Sequence, residues 1–138
     1  MVVYWDASAL VSMLARGPAA ERHRKTAQQF RIVTWWGSYI ECASAIARHA
    51  REGSAPAQIA ESYRLLEQLS KEWIEIQANE NLRRAAVRAA KNHELRAGDA
   101  LQLGAATIAS NFEPHTVRFL TEDNRLRRAA EREGFVVD

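Results

Sequence analysis

The chain has 138 residues, 47% hydrophobic and 26% charged, the balance of an ordinary globular domain able to bury a core without staples. Its one cysteine, Cys42, excludes an internal disulfide framework, and no apolar run approaches the roughly 18 residues that a membrane-spanning helix needs. A formal charge of +2 is too balanced to demand a nucleic-acid partner, although a pI near 9.0 permits one.

The chain opens on VVYW (2–5), short, branched and aromatic, which predicts a strand. SALVSMLA (8–15) predicts a helix stopped by Gly17 and Pro18. AAERHRKTAQQF (19–30) has helical spacing with Pro18 at its start, and IVTWW (32–36) predicts a second strand. SYIECASAIARHARE (38–52) predicts a helix capped by Ser38 and ended by Gly53, with Tyr39, Ile40, Ala43, Ile46, Ala47 and Ala50 at helical period. APAQIAESYRLLEQLSKE (55–72) is a further amphipathic helix whose apolar face carries Ile59, Tyr63, Leu66 and Leu69. WIEIQ (73–77) predicts a third strand, and NENLRRAAVRAAKNHEL (79–95) a well-charged helix. DALQLGAATIASNF (99–112) is nearly all apolar or small, which predicts a buried helix. TVRFLT (116–121) predicts a fourth strand, DNRLRRAAERE (123–133) a helix closed by Gly134, and FVV (135–137) leaves room for a fifth strand.

Strands separated by helices imply an α/β fold, a twisted, mainly parallel sheet of four to five strands with helices on both faces. With no repeat, low-complexity tract or linker, residues 1–138 are read as a single domain. Residues 1–5 are too short for a signal peptide and follow no basic segment, so the expected setting is the cytoplasm, with no membrane association.

In such sheets ligands bind at the carboxyl ends of the strands. Asp6 follows the first strand, Glu41 falls in the first turn of the helix after the second, Asp99 opens the buried helix, and Asp123 follows the fourth strand. Each has a plain structural explanation: Asp6, Asp99 and Asp123 as helix caps, Glu41 as a favourable charge at a helix start. Together they form an acidic set along one edge, and clustered carboxylates are tolerated when a cation neutralises them or protons are shared. All-oxygen ligands suit Mg²⁺ or Mn²⁺ rather than zinc. His23, His49, His93 and His115 are scattered, with no zinc-like spacing to Cys42, and there is no glycine-rich phosphate loop or nucleophile elbow. A phosphorylated-aspartate mechanism needs a second acid two residues after Asp6, where Ser8 stands instead.

Basic residues group at Arg22–Lys25, at Arg83, Arg84, Arg88 and Lys91, and at Arg125, Arg127 and Arg128. These are expected as solvated helix faces; Arg125 and Arg128, which start from the edge that carries Asp123, are the preferred candidates for contact with a phosphate backbone. Trp35 and Trp36 are read as core or interface residues.

VVYWDASALV, SYIECASAIAR, RAGDALQLGAA and FLTEDNRLRRAAEREG, in that order, resemble a PIN domain, and most of all the VapC-type toxins of bacterial toxin–antitoxin pairs. The resemblance runs over the whole chain. It implies a catalytic and metal-binding set of Asp6, Glu41, Asp99 and Asp123, with Thr121 and Ser8 in support and Glu122 turned elsewhere. It also implies one or two Mg²⁺ or Mn²⁺ ions, endonucleolytic cleavage of RNA, a cognate antitoxin, and a homodimer, for which the second helix and helix 55–72 carry apolar residues able to form the contact, the surface itself being left open. The competing expectations are a PIN-fold binding module with a degenerate site, and a nuclease acting on DNA or structured nucleic acid.

Overall fold

A computed structural model describes residues 1–15 and 18–138; the predicted stop at Gly17 lies outside the described residues. The elements are β1 (Val2–Trp5), α1 (Ala7–Leu14), α2 (Pro18–Gln29), β2 (Val33–Trp35), α3 (Ser38–Arg51), α4 (Pro56–Ser70), β3 (Ile74–Ile76), α5 (Glu80–Asn92), α6 (Ala97–Ala109), a 3-10 turn (Pro114–Thr116), β4 (Val117–Leu120) and α7 (Asn124–Glu133). Every predicted helix and the first four strands form, with ends displaced by a few residues. Among the described residues, no helix is long and apolar enough to cross a membrane.

The four strands pair in parallel in the order β3-β2-β1-β4. β1 and β4 run in full register, Val2 against Val117 through Trp5 against Leu120, while Tyr4 pairs with Val33 on β2. Both neighbours of β1 are parallel, so its alternating side chains are buried on both faces. Tyr4, Val117 and Phe119 face a layer completed by Leu82 of α5, Leu103 of α6 and Leu126 of α7. Val3, Trp5 and Leu120 face the opposite layer, with Leu10 and Met13 of α1, Ile46 of α3 and Leu66 of α4. The chain runs from β1 to β2 on one side and has β4 on the other, which makes the end of β1 the point where the strand order reverses.

Three expectations change in the details. FVV does not become a fifth strand: Val136 makes one parallel bridge to Arg118, donating to the Val117 carbonyl and accepting from Phe119 N. Ser38 does not cap α3; Gly37 holds that position, and the Ser38 hydroxyl turns inward to Thr34 at 2.6 Å. Asp99 does not open α6, because the helix starts at Ala97 after Arg96 and puts Asp99 within its first turn.

α5 and α6 approach so closely that a Cβ on Gly104 would lie 2.7 Å from Ala86 N and 2.9 Å from Ala86 Cα, both backbone atoms. This approach sets α6, and so Asp99, against the sheet. Replacing Gly104 with Val is expected to destabilise the fold by about 2 kcal/mol or more in urea unfolding, because backbone cannot step aside as a flexible side chain can. Gly98→Ala, in the same helix but facing open space, is the control and is expected to gain up to about 1 kcal/mol. Equal effects at the two sites would refute close packing at Gly104.

Candidate active site

Asp6 is the fixed point of the site. Its backbone N–H donates to the Leu120 carbonyl, extending the β1–β4 ladder by one residue, and its side chain caps α1 by accepting from Ala9 N at 2.8 Å. The carboxylate is 3% exposed. Ser8 Oγ lies 2.8 and 2.9 Å from its two oxygens, and Thr121 Oγ1 donates to Oδ2 at 2.5 Å. Burial raises the carboxyl to about 6, against the opposing pull of Thr121, Ala9 and Ser8; Glu41 adds a smaller upward push.

Thr121 links the first acid to the last. The hydroxyl that donates to Asp6 accepts from Asp123 N at 3.0 Å, and Asp123 caps α7 by accepting from Leu126 N at 2.9 Å. The same turn is tied from two more directions: Glu122 N donates to Ser8 Oγ at 2.9 Å, and Arg127 donates to the Thr121 carbonyl at 2.6 Å. Glu122 itself turns away from the acids and meets His23.

Glu41, half-buried in the first turn of α3, is held by a polar network inside the core. Tyr4 Oη donates to Gln102 Oε1 at 2.7 Å, and Gln102 Nε2 donates to Ser38 Oγ at 3.0 Å and to Glu41 Oε1 at 3.2 Å. Thr34 completes the network by donating to the Trp5 carbonyl. Burial raises the Glu41 carboxyl above the ordinary range, Gln102 and the nearby Trp35 indole oppose it, and Asp99 pushes it further up. Asp99 is raised in turn by burial and by Asp123, with Arg96 and Arg125 pulling the other way.

The acids therefore form a row in which Asp6 feels Glu41, Glu41 feels Asp99, and Asp99 feels Asp123. Among the described residues, no three histidine, cysteine, aspartate or glutamate side chains converge as a finished metal centre. The donor chemistry fits a hard divalent ion all the same: carboxylate oxygens with raised proton affinity need positive charge beside them. Cys42 offers no soft ligand, since burial, then Glu41 and Asp6, push its thiol up to about 12. A groove of about 560 Å³ runs beside the row between α1 and α3, lined by Ser8, Val11, Ile40, Glu41, Ser44 and Arg48 among others.

Sequence reading placed Asp6, Glu41, Asp99, Asp123, Ser8 and Thr121 on this edge, and they lie there. Arg125 is exposed near Asp99, and Arg128 is exposed one turn further along α7. Three neighbours went unread: Gln102, Arg96 and His23. Gln102 is the one polar residue between Ala100 and Ala106, a stretch otherwise small and apolar, and that is a signal the sequence carries. His23, expected on a solvated face, is instead buried.

The family model described as PIN domain matches residues 3–132. Among solved structures, PAE2754 from Pyrobaculum aerophilum aligns with 19% identity over 99% of this chain and 83% of that one, at a TM-score of 0.64. FitAcB from Neisseria gonorrhoeae aligns with 14% identity over 99% of this chain and 96% of that one, at a TM-score of 0.62. At these identities the likeness is one of fold. No match is found among curated proteins.

The raised Asp6 carboxyl has a consequence for stability. A folded-state value near 6, above the ordinary 3.8, stabilises fully below pH 3.8, and that contribution is lost as pH rises through about 6. Asp6→Asn keeps an acceptor oxygen for Ala9 and Thr121 but does not titrate. In excess chelator the two chains are expected to melt alike near about pH 4, and the variant to melt higher by roughly 5 °C near about pH 7.5. A variant that melts lower at the higher pH would show that the buried charge is not strained.

Proposed function

The chain belongs to the PIN domain family, and on that premise we propose that it is a metal-dependent endoribonuclease, folded as one domain over residues 1–138 and serving as the VapC-type toxin of a toxin–antitoxin pair. The observation that carries this reading is the row of Asp6, Glu41, Asp99 and Asp123 along the carboxyl edge of a parallel sheet, at the strand-order reversal. Such an arrangement is costly for the fold and is explained by a cation that the acids hold in common.

Asp6 and Asp99 are the assigned ligands of one or two Mg²⁺ or Mn²⁺ ions, with Asp123 and Glu41 binding directly or through water. When bound, the ion would lower the pKa of a water and offset charge on the phosphoryl oxygens. The residues of the chain do the rest. Thr121, Ser8 and Ala9 N fix both oxygens of Asp6, so that the ligand does not have to reorganise. Gln102 orients Glu41 toward the row by donating to its carboxylate. Arg96, Arg125 and Arg128 carry the phosphate backbone past the acids. Cleavage leaves a 5′-phosphate and a 3′-hydroxyl.

The partners that go with this reading are an RNA substrate, a cognate antitoxin and a second copy of the chain, in the cytoplasm. Exposed Trp36, Tyr39, Ile40 and Tyr63 are apolar surface available to a protein partner. The alternative that the test must separate from this reading is a PIN-fold binding module with a degenerate site.

The test is cleavage of a total-RNA and tRNA panel, with matched single- and double-stranded DNA, in Mg²⁺, in Mn²⁺ and in excess EDTA. Discrete RNA fragments are expected with either ion, none with EDTA, and a loss of at least about 100-fold in Asp6→Asn and Asp99→Asn. Cleavage that persists in Asp6→Asn overturns the assignment. A chain that neither cuts nor binds Mn²⁺ is the binding module, and preferential cutting of DNA changes the substrate.

A further inference from the structure

His23 touches the residue that precedes each of the two acids joined by Thr121. Its ring packs against Trp5, immediately before Asp6, at 5.4 Å between centroids and 60° between planes. Its Nε2 lies 2.6 Å from Glu122 Oε1, immediately before Asp123. A carboxylate only accepts, so Nε2 carries the proton in this bond. His23 is 8% exposed, although it sits within the strongly basic run Arg22–Lys25 of α2.

We propose that His23 is a positioning residue that anchors the Thr121–Asp123 turn through Glu122. The turn is short, and its two inner amides have only side-chain acceptors: Glu122 N on Ser8 Oγ, and Asp123 N on Thr121 Oγ1. Those acceptors are the hydroxyls that also serve Asp6, so any slack in the turn pulls on the buried carboxylate and on the start of α7 together. Arg127 restrains the turn from the helix that follows it. Only His23, among the described contacts of the turn, restrains it from α2. A charge-assisted bond to a largely buried ring is strong enough for this role, where an exposed ion pair is not. Its effect on metal binding rests on the proposed function; the anchoring itself does not.

The experiment is hydrogen exchange of the full chain, read at the amides of Glu122 and Asp123, on the parent, His23→Ala, Glu122→Ala, the double variant and His23→Gln. Mn²⁺ affinity is measured on the same samples. His23→Ala and Glu122→Ala are each expected to speed exchange at the two amides by about tenfold, as loss of a hydrogen bond to a charged group predicts. Because the two side chains act through one bond, the double variant exchanges no faster than either single. His23→Gln, which keeps a donor, stays within about threefold of the parent, and Mn²⁺ affinity follows the same order. Unchanged exchange in the alanine variants, or additive effects in the double, overturns the proposal. So does tighter Mn²⁺ binding by Glu122→Ala, which would make His23 a restraint on a competing ligand and not an anchor. If the parent binds no Mn²⁺, the nuclease reading fails while the exchange data still decide the anchor. Glu122 is exposed, so its variant reports even if His23→Ala unfolds.

Discussion

A buried carboxylate at the end of the central strand is the constraint on which the site depends. Asp6 sits at the one place where the chain departs to β2 on one side and meets β4 on the other. Its backbone is still committed to the sheet through Leu120, so it cannot swing outward to water. A charge there carries a desolvation penalty of several kcal/mol unless donors surround it. The fold supplies three, from the start of α1 and from the end of β4. They recover part of that penalty and leave the rest, which is why the carboxyl remains raised.

The same logic extends to the second acid. Gln102 is fully enclosed, and a buried amide must find partners for both its oxygen and its nitrogen. Tyr4 satisfies the oxygen, while Ser38 and Glu41 take the nitrogen. The network spans β1, the start of α3 and α6, so the orientation of Glu41 is tied to the packing of three elements. Close approach of α5 at Gly104 holds α6 in the position that makes this reach feasible. Core packing and site geometry are therefore one problem here: a shift of α6 would loosen Gln102 and move Asp99 in the same step.

What could be read in advance follows from where the information lies. The short, branched and aromatic character of VVYW and of TVRFLT is local, and it announced strands; that β1 is buried on both faces follows only from its two parallel neighbours. The acids were readable because each stands in its own apolar context next to a predicted strand or helix boundary. Asp6 and Asp123 proved to be helix caps as well as members of the row, so the capping explanation holds for the same atoms to which the proposed function gives a second role. Ser38 misled because a serine before an apolar run is a sound capping signal, and only the presence of Thr34 and Gln102 across the core draws its hydroxyl inward. His23 was hidden for a related reason. Its charged neighbours point to solvent, and nothing in the run reveals that one ring turns under toward Trp5 and Glu122.

On the proposed reading the acidic site handles a polyanion and must attract what its own charge repels. The arrangement of the helix starts answers this. Arg96 is the residue that begins α6 and Asp99 lies in its first turn; Asp123 caps α7 and Arg125 lies in its first turn. Each helix start thus delivers one acid inward and one arginine outward, and both arginines are felt at Asp99. Opposite charges at such short spacing cancel at long range and separate at close range. On the proposed nuclease reading, a phosphate approaching from solvent would meet exposed guanidinium groups first, and would reach the half-buried acids only where a cation sits between them. Near-neutral net charge is then no obstacle to binding nucleic acid, because the attraction comes from the order in which charges are met and not from their sum.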